Sequence, residues 1–184
     1  MHIYYGTGAA GVVQRKEEIR RLTELLAERG QSDSDSDADS YFIVLGDFNI
    51  VDRKHETMEA LLTNDFVIPE PLQKIPGSNV KQDKFYDQIA LWMGKSSRRK
   101  TYTQIVPYRA GVFDYFDIVY RTDEEEIYHP FMRKPGSSAF YSSYESWRTY
   151  QMSDHLPMWV ELQIDFAPEY LDEVEADLQA HLGG

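Results

Sequence analysis

Asp47 and Asn49 stand two residues apart in Gly46-Asp47-Phe48-Asn49, directly after the apolar run Tyr41-Phe42-Ile43-Val44-Leu45. Asp87 interrupts a second apolar and aromatic run, Phe85 to Trp92, and Ser153-Asp154-His155 makes a polar corner ahead of Leu156 to Ile164. Singly, each is bland. An Asp at a strand end usually caps a turn, and a His beside an apolar run usually packs with one satisfied nitrogen. Together they form an oxygen-rich set with one imidazole and no thiolate, since the chain has no cysteine. Hard carboxylate and amide oxygens suit Mg²⁺ or Mn²⁺, which neutralise phosphate charge and stabilise a developing pentacovalent centre. An imidazole paired with a carboxylate can take a proton from water near neutral pH.

The rest of the composition limits who the partners can be. The chain has 184 residues, of which 42% are hydrophobic, enough for one soluble domain with its own core. Thirty-one acidic against nineteen basic side chains give a net charge of −12, which opposes a nucleic-acid backbone over much of the surface. Lys95, Arg98, Arg99 and Lys100 form the one dense basic run, read first as a solvated loop and second as a phosphate contact. No apolar run approaches the roughly 20 residues of a membrane span, and the first residues lack a signal pattern. The expectation is a cytoplasmic protein.

Elements to position these residues follow from periodicity. Met1–Tyr5 reads as a strand, and Gly6–Gly11 as a loop or helix approach. Ile19, Leu22, Leu25 and Leu26 make the stripe of an amphipathic helix over 17–29, with Gly30 as its stop. The Ser/Asp run over 31–40 lacks the glycine and terminal Glu of a calcium loop and reads as a solvated loop. Residues 41–46 are a strand buried on both faces, 56–62 a helix, 86–92 and 157–164 further strands. His55 reads as a helix-start residue, and Gly46 as a place of close backbone approach. Pro69, Pro71 and Pro76 mark an irregular connector, while the aromatic stretch over 111–120 fits a strand or a short helix. Tyr141, Tyr144, Trp147 and Tyr150, three residues apart, suit a packed helix face. The acidic end, 167–184, reads as a helical extension with Leu171, Val174, Leu178 and Leu182 on one side. Strands separated by helices make an α/β domain, with 1–184 a single unit.

With these residues in place, the chain resembles the endonuclease/exonuclease/phosphatase superfamily of DNase I-like enzymes. Leu45-Gly46-Asp47-Phe48-Asn49 is similar to that family's GDFN block, and Ser153-Asp154-His155-Leu156-Pro157 to its closing SDHxP block. Tyr86-Asp87-Gln88-Ile89 resembles the intervening Asp-bearing block, and His2-Ile3-Tyr4-Tyr5-Gly6 with Glu18-Ile19 the histidine-bearing strand and its helix. The resemblance runs from His2 to about Phe166. It implies divalent-metal-dependent hydrolysis of a phosphodiester or phosphomonoester, on nucleic acid, lipid or a small phosphoester. It implies that Asp154, Asp47 and Asn49 serve the metal site, with Asn49 also holding a phosphate oxygen. It further implies His155 as general base, Asp87 as the carboxylate fixing its tautomer, and His2 acting across the scissile phosphate.

The departures carry expectations of their own. The fold implied is part of a four-layer α/β sandwich whose N-terminal half, with an early Asn and a metal-binding Glu, has no counterpart ahead of His2. Met1 stands where the family often has Thr. Activity is then expected to be low or absent in this chain alone. An apolar strand lacking its covering sheet implies a homodimer, or association with another chain as a non-catalytic remnant.

Overall fold

A computed structural model of the chain describes residues 1–33, 41–93, 106–163 and 167–182. The basic run Lys95, Arg98, Arg99 and Lys100 lies outside the described residues, as does 34–40 of the Ser/Asp run. The described part is mixed α/β, with two small antiparallel sheets and helices around them. None of its helices is long and apolar enough to cross a membrane.

Helix α1 spans Gly8–Asp33, longer at both ends than the apolar stripe alone predicts. Its buried positions Arg15, Ile19, Thr23 and Ala27 recur every four residues, and the helix packs on the segment Glu56–Leu61 and on the first sheet. Gly30 does not stop it. A Cβ there would meet the Trp92 ring at 2.3 Å, so glycine serves to let helix and strand close together.

That sheet has the order β1-β3-β2, with β1 at Tyr41–Asp47, β2 at Phe66–Val67 and β3 at Asp87–Met93. Directly opposed residues share a face, so the register sorts the side chains. Phe42 faces Trp92 and Val44 faces Ala90 toward α1, while Ile43, Leu45 and Asp47 face Leu91, Ile89 and Asp87 on the other side. Strand β1 was expected to be buried on both faces, and it is not. Val44 is buried, but Ile43 and Leu45 are 42% and 57% exposed. An apolar run reports what a strand would bury, not whether anything arrives to cover it.

The second sheet pairs β4, Val106–Val112, with β5, Met158–Gln163. Ala110, Met158 and Val160 pack from it onto the main core, which covers Ile89 but not Leu45. Residues 2–5 are corrected from a strand to a single parallel bridge, His2 to Asp47. Ladder pairing stops there, although Ile3 N–H donates to the Asp47 carbonyl at 2.8 Å and its side chain is buried.

Short elements complete the frame. Helix α2, Glu56–Leu61, starts at His55, whose ring accepts from the Thr57 N–H. In the Pro-rich connector lies α3, Glu70–Gln73, with Pro71 in its first turn. Residues 106–120 resolve into β4 and a 3₁₀ turn at Tyr115–Asp117, and a short α4 follows at Glu125–Tyr128. Helix α5, Tyr144–Gln151, buries Tyr144 and Trp147 against Met132, with Tyr150 exposed. The closing helix α6, Ala167–Leu182, leaves Leu171, Val174 and Leu178 exposed.

Candidate functional site

The β1–β3 register ends with Asp47 opposite Asp87, two carboxylates on one face at one edge of the sheet. Like charges directly opposed across a strand pair are destabilising. His155 enters between them. Its Nδ1 lies 2.8 Å from Asp87 Oδ2, and its Nε2 is 4.0 Å from Asp47 Oδ2. His2, largely exposed, brings its Nε2 to 3.3 Å from the same Asp47 oxygen.

Each group is held from behind. Asp87 Oδ2 accepts from Ser78 Oγ at 2.6 Å, and the Ser78 hydroxyl accepts from Asp87 N–H at 3.0 Å. Ser78 is fully buried, and its carbonyl accepts from Leu156 N–H. Asp154 carbonyl takes Val80 N–H, and Asn79 bridges His155, so the end of the connector clamps the His155 corner. Tyr115 Oη donates toward the carbonyls of Ser153 and His155 at 2.8 and 3.1 Å. The Tyr86 ring stacks on His155 with centroids 5.4 Å apart. Burial pushes the Tyr86 phenol above the ordinary value of 10.0, and the negative charges of Tyr5, Asp83, Asp154 and Asp47 push the same way. Tyr86 therefore stays a neutral phenol beside the imidazole throughout the neutral range.

Asp47 is fixed from the other side. Its Oδ1 accepts from Asn49 N–H at 2.7 Å, which curls the chain so that Asn49 takes a positive φ of 52°. Asn49 Nδ2 donates to the Ile3 carbonyl at 2.9 Å. Arg15, buried in α1, donates to the carbonyls of Asn49, Tyr5 and Gly6 and so ties the His2 segment to the Asp47 turn. Gly46 has a φ of 147°, and a Cβ on it would meet the Met1 carbonyl oxygen at 2.0 Å. The close approach expected of this glycine is therefore what lets His2 reach Asp47.

Of the residues that sequence singled out, Asp47, Asp87 and His155 converge, with ligand-capable atoms within 4.8 Å of one another. His2 and Asn49 sit against Asp47. Asp154 is exposed and is not one of those three, but its charge reaches Tyr86, which stacks on His155, and Tyr115. Ser78, Tyr115 and Arg15 went unnoticed in sequence, and Tyr86 was read only as part of the block around Asp87. A capping hydroxyl or a structural guanidinium has no signature until its distant partner is known.

Asp47, Asp87 and His155 could hold a metal ion between them. Asp87 is committed to Ser78 and His155, which leaves Asp47 as the carboxylate to meet a metal, and Mg²⁺ commonly binds through one or two carboxylates while keeping several waters. Ser78→Ala is expected to lower stability by about 1–3 kcal/mol, read by urea denaturation, because the carboxylate and N–H of Asp87 lose a buried partner. Comparison with protein-family models, with curated proteins and with solved structures finds no match for this chain.

Proposed function

We propose that this chain is a divalent-metal-dependent phosphoesterase of the endonuclease/exonuclease/phosphatase kind, acting through Asp47, Asp87, His155, His2 and Asn49. The observation that carries the reading is the 2.8 Å Asp87–His155 contact set beside an opposed second carboxylate, Asp47. Asp87, held by Ser78, fixes the imidazole so that Nε2 faces Asp47. A water hydrogen-bonded to both Nε2 and Asp47 Oδ2 loses its proton to the imidazole as it attacks phosphorus. Bound Mg²⁺ or Mn²⁺ at Asp47 supplies Lewis-acid stabilisation of the phosphate charge. Asn49, buried with its Nδ2 on the Ile3 carbonyl, holds Asp47 in place through its N–H rather than reaching the phosphate, and His2, beside the same Asp47 oxygen, meets the departing oxygen.

The test begins with metal alone. Adding Mg²⁺ is expected to raise the melting temperature of the full chain, since an ion bound to the native state stabilises it by mass action. Asp47→Asn removes one of the opposed charges and should abolish both that rise and any hydrolysis of bis(p-nitrophenyl) phosphate. A metal-independent melting temperature in the parent chain, with no hydrolysis, would end the reading.

A second reading is association without catalysis, favoured by the exposure of Ile43 and Leu45 on β1 and of Trp159 on β5. Under it the chain sediments as a dimer, more strongly as salt screens the charge of −12. A monomer at low and high salt removes it.

A further inference from the structure

We propose a second binding site, for an apolar monocarboxylate, in the cavity between α2, β2 and α3, with the Arg53 guanidinium as its charged contact. It stands apart from the residues of the proposed phosphoesterase and does not depend on that reading. The cavity holds about 480 Å³, within the range of small-molecule sites, and is largely apolar. Met58, Phe66 and Ile68 are its buried wall, while Leu62 and Val67 stand exposed at the rim.

Arg53 is the one charged group on this lining. Its Nη2 donates to the carbonyls of Leu72 and Ile75 at 3.0 and 2.8 Å, and its guanidinium lies 4.2 Å from the Phe85 ring centroid. These contacts hold the group still without balancing its charge. Among the described residues no carboxylate pairs with it, and Nε and Nη1 have no acceptor. Burial alone acts on its pKa, which it lowers. The acidic residues of the flanking helices do not answer the charge: Glu56 pairs with Lys16, Glu70 pairs with Lys74, and Glu59 is exposed.

A partly desolvated cation on an apolar wall is an unfavourable arrangement until an anion joins it. A carboxylate would take the remaining N–H groups in charge-assisted hydrogen bonds, while an alkyl or aryl body displaces water from Met58, Phe66 and Ile68. A free phosphate ion, small and strongly hydrated, has no apolar body to fill the space. The ordinary structural role, capping the carbonyls around the end of α3, uses only one nitrogen of the guanidinium.

Sign of charge is the discriminating variable. The full chain, with its methionine methyl groups ¹³C-labelled, is titrated with octanoate, octylammonium and inorganic phosphate. Octanoate should shift the Met58 methyl saturably, with octylammonium at least tenfold weaker and phosphate without effect there. Val67→Asp, at the exposed rim, should weaken octanoate about tenfold without disturbing the fold. Arg53→Gln should bring the two octyl ions to similar affinity, provided its spectrum shows the parent fold. Equal binding of the two ions to the parent chain would overturn the proposal. So would an unmoved Met58 methyl, or octanoate binding that Val67→Asp leaves unchanged. Hydrolysis of a phosphodiester plays no part in these readouts, so either proposal can fail alone.

Discussion

Whatever Mg²⁺-dependent phosphodiester hydrolysis this chain performs, replacing His155 with alanine is expected to cut it by about 10²–10⁴-fold, the usual contribution of a positioned general base. The fold should survive, because the imidazole is half-buried at the sheet edge and its corner is held by backbone bonds from Ser78 and Val80. Asp87→Asn should fall short of that loss. The amide still reaches Nδ1 but can impose the wrong tautomer, so the rate drops while the Mg²⁺ concentration for half-maximal activity stays put. Steady-state kinetics across a metal titration separates the two effects. Unchanged turnover in His155→Ala would assign the hydrolysis to another site or to a contaminant.

The largest stability effect is expected at Phe48. It is fully buried in the main core between Asp47 and Asn49, and its N–H donates to the Tyr86 carbonyl at 2.8 Å. Truncation to alanine should cost about 3–5 kcal/mol, from lost burial and the cavity left behind. Against a usual total of about 5–15 kcal/mol, that brings the chain close to unfolding. Phe48→Leu should cost about 1.5 kcal/mol or less, since it nearly conserves volume. Urea unfolding curves of the three proteins test this. An alanine variant as stable as the leucine one would mean that the Asp47–Asn49 turn is not anchored through the core.

Elements with a clear period were legible before any coordinates. The stripe of α1, the runs of β1 and β3, the alternation of β5 and the acidic closing helix all stand close to where periodicity puts them. Their limits were less so. Gly30 is an intrinsic helix breaker that tertiary packing against Trp92 overrides, and Met1–Tyr5 has strand-like residues but pairs only at His2. Asp47, Asp87 and His155 were bland singly and legible only as a set of polar insertions beside apolar runs. Asp154 belongs to the same set, and nothing in the sequence says which of the two adjacent residues joins Asp47 and Asp87. Ser78 and Arg15 act only through partners far along the chain, so their types alone reveal nothing.

The Asp87–His155 contact joins residues 68 positions apart, whereas Asp47 and Asp87 meet within one strand pair. At the usual 5–20 residues per second, a ribosome takes roughly 3–14 s to add the residues between Asp87 and His155. For that interval a nascent chain can hold the two opposed carboxylates without the imidazole that bonds Asp87. Docking of the 153–156 corner by the connector closes the site in one late, long-range step. The chemistry proposed for this chain is thus withheld from a half-made protein.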